Sequence, residues 1–247
     1  DPKSTEGKYK VKAKILNYFV NKSTGGVFQT DGARNYFGEN LRKNGVVIPN
    51  PIFVNCEIPP IDISERSKTV VSVGRFDNVQ KRYDIMLKSF AIFLETHPGY
   101  VLKLYGEGPD KTMIEEFIGS LSISENVKFM GVSNNPMHDI AYDGMFVISS
   151  DFEGISNSLL EAMAIGLPCV STDHPPGGAR MLIKDRINGL LVPVRDPIAF
   201  SKAMGEFADN NELSRVCSKN AKTVTTRFAP DAIIDAWENY IIKLTNG

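Results

Sequence analysis

From Lys68 onward, short apolar runs alternate regularly with segments of helical periodicity. The runs at residues 70–73 and 145–148 are apolar almost throughout, which is typical of strands that are covered on both faces. Between such runs, residues 83–96 place their apolar side chains on one face of a helix. Strands that alternate with helices of this length predict a parallel sheet wound on both faces. We therefore predict an α/β fold, a Rossmann-like doubly wound parallel sheet, over roughly residues 68–225.

The bulk composition narrows the class of protein. The chain has 247 residues and a net charge of −1, so it offers no basic field to attract nucleic acid. Its three cysteines are far apart and form no CxxC pair, which argues against a disulfide framework or a zinc site and fits a reducing compartment. No apolar run is long enough to cross a bilayer. From the cysteines and the net charge we predict a cytoplasmic protein without a nucleic-acid partner.

The segment before the alternating pattern is different. Residues 1–22 are rich in lysine, and Val11, Ile15 and Phe19 recur at helical spacing, which predicts an amphipathic helix. That helix either presents a solvated face or makes peripheral contact with an anionic membrane at the inner face. The first 55 residues are predicted to hold one strand and two helices, too little for a core of their own. Prolines 49 and 51 then mark a linker.

Two cations follow the first strand of the predicted sheet. Gly74 and Arg75 end the strand, and Lys81 is expected at the start of the next helix. An arginine fork and a lysine point charge at the carboxyl edge of the sheet can together neutralise a diphosphate. The alternative is that both cations form ordinary surface ion pairs with Asp77 or Asp84.

Two glutamates flank a later turn between strand and helix. Glu153 and Glu161 are placed by this order beside a helix N-terminus at the ligand-binding edge of an open α/β sheet. A helix N-terminus attracts anions, whereas carboxylates accept hydrogen bonds from sugar hydroxyls. The combination predicts a ligand that is part phosphate and part sugar.

Other strand ends carry weaker signals. Gly106 and Gly108 allow the backbone to approach a ligand, but they do not follow the first strand and the third glycine of a dinucleotide fingerprint is absent. A nicotinamide-dependent oxidoreductase is therefore disfavoured. His174 lies in a proline–glycine loop, and a lone histidine in such a loop is more often a bystander than a catalytic residue.

Several common motifs are missing from the sequence. It contains no Asp-x-Asp pair, no phosphate-binding loop of the Gly-x-x-x-x-Gly-Lys-[Ser/Thr] type and no Gly-x-Ser-x-Gly elbow. Without a metal clamp, the charge on a leaving diphosphate has to be met by protein cations, which gives Arg75 and Lys81 a role.

The motifs taken together resemble a known family, the retaining glycosyltransferases of family 4, which have the GT-B fold of two Rossmann-like domains. The resemblance covers about residues 46–245 and rests on VGR at 73–75 with Lys81, YGEGP at 105–109, FMG at 129–131, EG at 153–154 with LEAMA at 160–164, GLP at 166–168 and NGLLV at 188–192.

The resemblance implies a role for each matching residue. Arg75 and Lys81 would bind the donor diphosphate and stabilise its departure, Glu153 would face the transferred sugar, and Glu161 would hold the ribose. Backbone at the helix N-terminus would contact phosphate or sugar, and other loops would complete the donor site. These donor-binding residues are Gly74, Glu107, Gly131, Val132, Gly154, Ile155, Ser156, Asn157 and Ser158, with Gly131 and Val132 lining the base. No metal and no cofactor is expected.

The resemblance also implies an organisation and an activity. Residues 1–50 would be a remnant of the N-terminal acceptor-side domain, residues 51–225 the nucleotide-sugar-binding domain, and residues 226–247 a C-terminal helix that packs back toward the N-terminal domain. The expected reaction, in polysaccharide biosynthesis, is metal-independent transfer of a hexose-type sugar with retention, from a UDP- or GDP-sugar to a glycan or lipid-linked acceptor. This chain would carry the donor site and transfer little alone. The alternative is a non-catalytic nucleotide-sugar-binding module.

Overall fold

The computed structural model describes residues 7–20, 22–54, 58–59 and 61–246. Within that part of the chain the strands are β1 Gly26–Phe28, β2 Gly45–Val47, β3 Thr69–Val73, β4 Val101–Tyr105, β5 Val127–Gly131, β6 Met145–Ile148, β7 Cys169–Thr172 and β8 Leu190–Val192. The α-helices are α1 Gly7–Val20, α2 Asp31–Asn35, α3 Glu39–Asn44, α4 Asn78–Lys81, α5 Tyr83–Thr96, α6 Lys111–Ser120, α7 Pro136–Asp139, α8 Asn157–Ala164, α9 Gly178–Leu182, α10 Pro197–Asp209, α11 Asn211–Ala221, α12 Val224–Arg227 and α13 Pro230–Thr245.

Six strands form one sheet in the order β5-β4-β3-β6-β7-β8, and every neighbouring pair is parallel. The chain builds outward from β3 to β5, returns to the other side of β3 with β6, and then continues to β8. This order confirms the predicted doubly wound Rossmann-like sheet. It also creates a crevice at the carboxyl ends of β3 and β6, where the strand order reverses and where ligands bind in open α/β sheets.

Each face of the six-stranded sheet has its own hydrophobic core. Val70 and Leu87 belong to the cluster under α5, α6 and α10, whereas Val71 and Leu159 belong to the cluster on the opposite face under α8. Adjacent residues of a strand therefore point into different cores, since successive side chains alternate between faces. This explains why the central strands are apolar throughout.

The segment before the large sheet contains a small sheet of its own. β1 pairs in parallel with β2, with Gly26 opposite Gly45 and Phe28 opposite Val47. The prediction of one strand and two helices in this region was wrong, because the described part of it holds two strands and three helices. β2 directly precedes the prolines that mark the linker, and nothing local in the sequence reveals its pairing with β1.

The last helix packs on the small sheet. The Tyr240 hydroxyl on α13 accepts a hydrogen bond from the Gly26 amide at 2.8 Å and donates one to the Asn44 carbonyl at 2.7 Å. Ile48, Ile233 and Tyr240 are buried together beside it. The C-terminal helix thus holds the N-terminal segment, while the domain boundaries at residues 50 and 225 stay a prediction.

Helix α1 leaves much of its apolar surface exposed. Ile15, Leu16 and Phe19 are each more than half exposed. Among the described helices, none combines the length and the apolarity that a bilayer span requires.

Candidate functional site

The turn after β3 builds one wall of the crevice. The Gly74 carbonyl accepts a hydrogen bond from the Tyr83 hydroxyl at 3.2 Å, and Asp77 caps the short helix α4 by accepting from the Val79 amide. Arg82 then adopts a left-handed backbone with φ of 51°, and α5 begins at Tyr83. Lys81 therefore ends the short helix α4. The sequence pattern predicted Lys81 at the start of the long helix, and that prediction was wrong. A single left-handed residue interrupts the helix, and periodicity does not register such a break.

Lys81 and Glu153 meet across the crevice. The Lys81 Nζ lies 2.6 Å from the Glu153 Oε1, and their side chains are 13% and 15% exposed. The other carboxylate oxygen of Glu153 accepts a hydrogen bond from the Ser150 hydroxyl at 3.0 Å. The structure therefore brings together two predicted site residues that are distant in sequence, one from the β3 side and one from the β6 side.

A second ion pair runs beside the first. Arg82 donates to Asp151 at 2.9 Å, and Arg195 approaches the same carboxylate at 2.8 Å. Burial alone would raise the pKa of Asp151, but hydrogen bonds from Arg195 and Arg82 outweigh it and hold the pKa below its usual value. Lys81 and Arg82, which are neighbours in the chain, thus bind Glu153 and Asp151, which both lie in the loop after β6. Sequence reasoning missed the second ion pair, because Asp151 gives no motif signal and Arg195 is far along the chain.

Asp84 does not pair with either predicted cation, since it forms a bidentate pair with Arg82. Arg75 is exposed, and within the described residues its side chain makes no ion pair or hydrogen bond. Gly74 packs against the Lys81 stem, because a Cβ at Gly74 would lie 3.5 Å from the Lys81 Cε. Of the two predicted cations, Lys81 is therefore bound to a carboxylate, and Arg75 has no partner among the described residues.

Glu161 lies in a separate cavity of about 750 Å³. Its carboxylate has no hydrogen-bond or ion-pair partner in the described part of the chain, and burial raises its pKa. The cavity wall is rich in amide side chains and includes Asn50, Ile52, Asn134, Asn135, Met137 and Asn157. A half-buried carboxylate among amides suits a ligand that supplies hydroxyl donors, and neither Lys81 nor Glu153 lines this cavity.

The start of α8 already has partners from the chain itself. Ser156 caps the helix by accepting from the Leu159 amide. The Ile155 amide donates to the Gln29 side-chain oxygen at 3.2 Å. Gln29 also donates to Asn50 at 3.0 Å, and Asn50 donates to Asn157 at 2.9 Å. One predicted donor-binding amide is therefore occupied by Gln29, which sequence reasoning did not single out.

Three loops meet at the edge of the sheet beside these residues. The Gly106 amide donates to the Gly131 carbonyl at 2.8 Å, and a Cβ at Gly106 would collide with the Gly74 carbonyl. Gly106 has a φ of 135°, which only glycine adopts easily. Glu107 and Val132 are exposed on the same loops. The residues 134–137 that line the Glu161 cavity continue the loop of Gly131 and Val132.

His174 follows β7 and is almost fully buried, at 1% exposure. Its Nδ1 lies 3.4 Å from the Pro175 carbonyl, while its Nε2 is buried and has no partner among the described residues. Burial lowers the pKa of this imidazole, with the charge of Lys81 acting in the same direction and that of Glu153 against it. Within the described chain, no three His, Cys, Asp or Glu side chains cluster as metal ligands would.

Comparisons with known proteins show the family of the chain. Residues 57–224, more than half of the chain, match the family described as glycosyl transferases group 1. The chain therefore belongs to that family.

Curated relatives include an exopolysaccharide phosphotransferase of Streptomyces coelicolor, 30% identical over 89% of this chain and 23% of the relative's length. The N-acetylgalactosamine-N,N'-diacetylbacillosaminyl-diphospho-undecaprenol 4-alpha-N-acetylgalactosaminyltransferase of Campylobacter jejuni is 32% identical over 68% of this chain and 44% of its own length. This chain thus spans less than half of either relative.

Among solved structures, Anabaena HepE in complex with UDP and glucose superimposes with a TM-score of 0.81 at 18% identity, over 92% of this chain and 66% of that one. A likeness at this identity concerns the fold alone. It agrees with a GT-B type of glycosyltransferase architecture built on the parallel six-stranded sheet.

Proposed function

We propose that this chain carries the donor site of a retaining, metal-independent glycosyltransferase that moves a hexose from a nucleoside diphosphate sugar to a glycan or lipid-linked acceptor. The observation that carries the proposal is the Lys81–Glu153 pair at the point where the strand order reverses, with Arg75 unpaired on the same edge. A cation next to a carboxylate suits a ligand whose phosphate adjoins a sugar.

The proposal gives each group a task. Arg75 takes the diphosphate first, because its guanidinium is exposed and unpaired in the described chain, and a guanidinium binds phosphate in a bidentate manner. Lys81 then shares its charge between Glu153 and the leaving diphosphate. Glu153 accepts hydrogen bonds from the sugar hydroxyls, and Glu161 accepts them from the ribose. Stabilisation of the departing diphosphate by fixed cations is the electrostatic part of the catalysis.

The nucleotide and the location are further parts of the proposal. The HepE structure contains UDP and glucose, and the Campylobacter relative is named for a diphospho-undecaprenol substrate. By analogy we propose a UDP-sugar donor and a cytoplasmic site of action. The exposed Ile15 and Phe19 of α1 support peripheral contact with the inner membrane face.

A thermal-shift panel tests the donor site. We expect UDP-sugars or GDP-sugars at ten times their Kd to stabilise the chain by about 1.4 kcal/mol, which raises Tm by roughly 3–5 °C at this size. Arg75→Ala should weaken nucleotide binding by about 10- to 100-fold, since hydrogen bonds to charged groups contribute about 1.5–3 kcal/mol. Arg215→Ala is the matched control, because Arg215 is an exposed arginine that pairs with Glu212.

Three outcomes of the panel are decisive. Absence of stabilisation by every nucleotide sugar would refute the donor site, and stabilisation that survives in Arg75→Ala would refute the diphosphate role of Arg75. Stabilisation without any hydrolysis or transfer of the donor, in this chain and in the full reading frame alike, would favour the non-catalytic binding module.

A further inference from the structure

A second cavity, of about 970 Å³, lies between α2 and the loop that follows β7. We call it the His174 cavity. Its walls are mainly aromatic and proline rings contributed from both sides, namely Tyr36, Phe37, Phe152, His174, Pro175 and Pro176. An apolar wall with a few placed polar groups is the usual construction of a small-molecule site.

His174 contributes a polar side chain to the wall of this cavity. A carbonyl oxygen only accepts hydrogen bonds, so the contact between Nδ1 and the Pro175 carbonyl requires the proton on Nδ1. In a neutral ring Nε2 then carries a lone pair. That Nε2 is buried and has no partner in the described chain. A buried polar atom of this kind is costly unless a ligand or water satisfies it. Two lining residues therefore carry a buried acceptor without a partner in the described chain, His174 through Nε2 and Asp173 through Oδ1.

The charges around the cavity do not favour an anion. Asp31, Asp173 and Arg180 are its charged lining residues, which leaves two carboxylates against one guanidinium. Arg180 is already paired with Asp173 at 2.5 Å. Asp31 is likewise paired with Arg34 at 2.7 Å. A phosphate would therefore find no free cation in the described lining of this cavity, whereas the crevice beside Arg75 offers it one. The occupant should be uncharged.

The cavity adjoins the reacting end of the donor site. Phe152 lines it and directly precedes Glu153, and the Glu153 amide donates to the Pro175 carbonyl at 3.1 Å. The charges of Glu153 and Lys81 both act on His174. An occupant of the His174 cavity would thus lie next to the sugar that Glu153 faces.

We propose that the His174 cavity binds a neutral sugar ring of the acceptor, with an apolar ring face against the aromatic walls and one hydroxyl donating to His174 Nε2. The proposal rests on the donor site described above, and it names a residue and a substrate class for the acceptor side. His174 acts here as a binding and positioning residue for the acceptor hydroxyl.

Nitrogen NMR of histidine tests the proposal directly. The chain has three histidines, and long-range ¹H–¹⁵N spectra of ¹⁵N-histidine-labelled chain resolve each ring. We expect the proton of His174 on Nδ1 in the free protein. Saturating UDP is then added, followed by methyl α-D-glucopyranoside, methyl α-D-galactopyranoside or methyl N-acetyl-α-D-glucosaminide. At least one glycoside should shift His174 Nε2 while His97 and His138 stay unchanged.

Variants separate binding in the cavity from an indirect effect. Tyr36 is 72% exposed at the rim, so Tyr36→Ala should fold normally and weaken glycoside binding about fivefold, as expected for a lost aromatic contact. Tyr142→Ala removes a tyrosine that is 55% exposed elsewhere and should change nothing. His174→Gln should abolish the saturation-transfer signal of the glycoside and keep the UDP-induced thermal shift.

Failure of the two proposals can be told apart. If no glycoside shifts His174 while UDP still stabilises the chain, the acceptor cavity is refuted and the donor site stands. If inorganic pyrophosphate shifts His174 when saturating UDP already fills the donor site, the cavity is an anion site and the proposal is also refuted. Glycoside binding in a chain that no nucleotide stabilises would retain the cavity and refute the donor site.

Discussion

Lys81 and Arg75 are both cations of the predicted site, but they differ in what they do in the free protein. Lys81 is half of an ion pair with Glu153, whereas Arg75 has no partner in the described chain. The proposed donor diphosphate would therefore reach Arg75 without displacing any contact in the described chain, and it would compete with Glu153 for Lys81. The two cations should respond differently to mutation.

Stability measurements should separate the two cations. Lys81→Ala leaves the Glu153 carboxylate, only 15% exposed, without its cation, and should lower the free energy of unfolding by about 2 kcal/mol. Arg75→Ala should change it by less than about 0.5 kcal/mol. Urea denaturation provides both values.

The double variant Lys81→Ala with Glu153→Gln should recover part of the loss, because the unpaired charge is gone. Strict additivity of the two substitutions in the double-mutant cycle would contradict a direct pair.

Glu161 should behave in the opposite way to Lys81. We expect its carboxylate to bind ligand, whereas its burial in the charged form lowers the stability of the fold. Burial raises the pKa of Glu161, so the folded chain holds its proton more tightly than the unfolded chain and the ionised form disfavours folding at pH 7. Glu161→Gln should therefore leave Tm unchanged or raise it, while nucleotide binding weakens about tenfold.

The stability advantage of the Glu161→Gln variant should be largest at pH 7. It should shrink as the pH falls through the carboxyl pKa, since protonation removes the same charge from the wild type. Thermal scans across this pH range measure the difference, and a variant that is less stable than wild type at pH 7 would show that the carboxylate has a stabilising partner.

At the scale of residues, the sequence predicted the candidate site residues that follow strands. It did not predict the residues whose importance comes from a contact with a distant part of the chain. Arg75, Lys81 and Glu153 follow apolar runs, and the parallel sheet alone brings such positions to one edge. Gln29 and Asp151 were missed, because their importance comes from contacts with Ile155 and with Arg82 that no local pattern encodes.

At the scale of elements, two ion pairs, Lys81 with Glu153 and Arg82 with Asp151, connect the α4 turn to the loop after β6 across the crevice. Besides the ion pairs, the Asp151 amide donates to the Gln80 carbonyl at 2.9 Å, and the Ser149 hydroxyl donates to the Lys81 carbonyl at 2.7 Å. The geometry of Lys81 and Glu153 therefore depends on contacts that never touch the ligand.

Asp151→Asn tests this dependence. The substitution weakens the hydrogen bonds from Arg82 and Arg195 and should cost on the order of 2 kcal/mol of stability. It should also weaken nucleotide binding severalfold, because the two loops lose a direct tie. Asp84→Asn is the matched control, since Asp84 also pairs with Arg82 but lies on the following helix, on the same side of the crevice. It should lower Tm and leave nucleotide affinity intact. Equal loss of affinity in both variants would contradict this dependence.

The elements themselves were predictable where the pattern was long. α5 has the predicted bounds, because its fourteen residues carry a continuous apolar face. The short pieces α4 and β2 were not predicted. α4 is set by one Asp77 cap and one left-handed residue, and β2 exists only because β1 lies beside it.

At the scale of the molecule, the two ends of the described chain support each other. Tyr240→Phe removes the hydroxyl that bridges Gly26 and Asn44 and should cost about 1–2 kcal/mol. Hydrogen exchange should accelerate in residues 26–47 and 230–245 and stay unchanged in the six-stranded sheet. Tyr100→Phe is the control, since the Tyr100 hydroxyl makes no hydrogen bond with the described residues. Faster exchange throughout the sheet would mean that these ends are not a separate cooperative unit.

The Gln29 side chain has a consequence for how the chain responds to a donor. It holds the Ile155 amide at the mouth of α8 in the way a bound ligand would, so it is an internal competitor for that amide. A donor that takes the amide must release Gln29 and with it the tether through Asn50. Thermodynamic reciprocity then requires that stronger contacts of Gln29 with Ile155 weaken donor binding, and that a bound donor weakens those contacts. If the proposed donor takes this amide, Gln29 and the donor compete for one helix terminus, and we expect negative cooperativity between donor binding and the contact of the small sheet with α8.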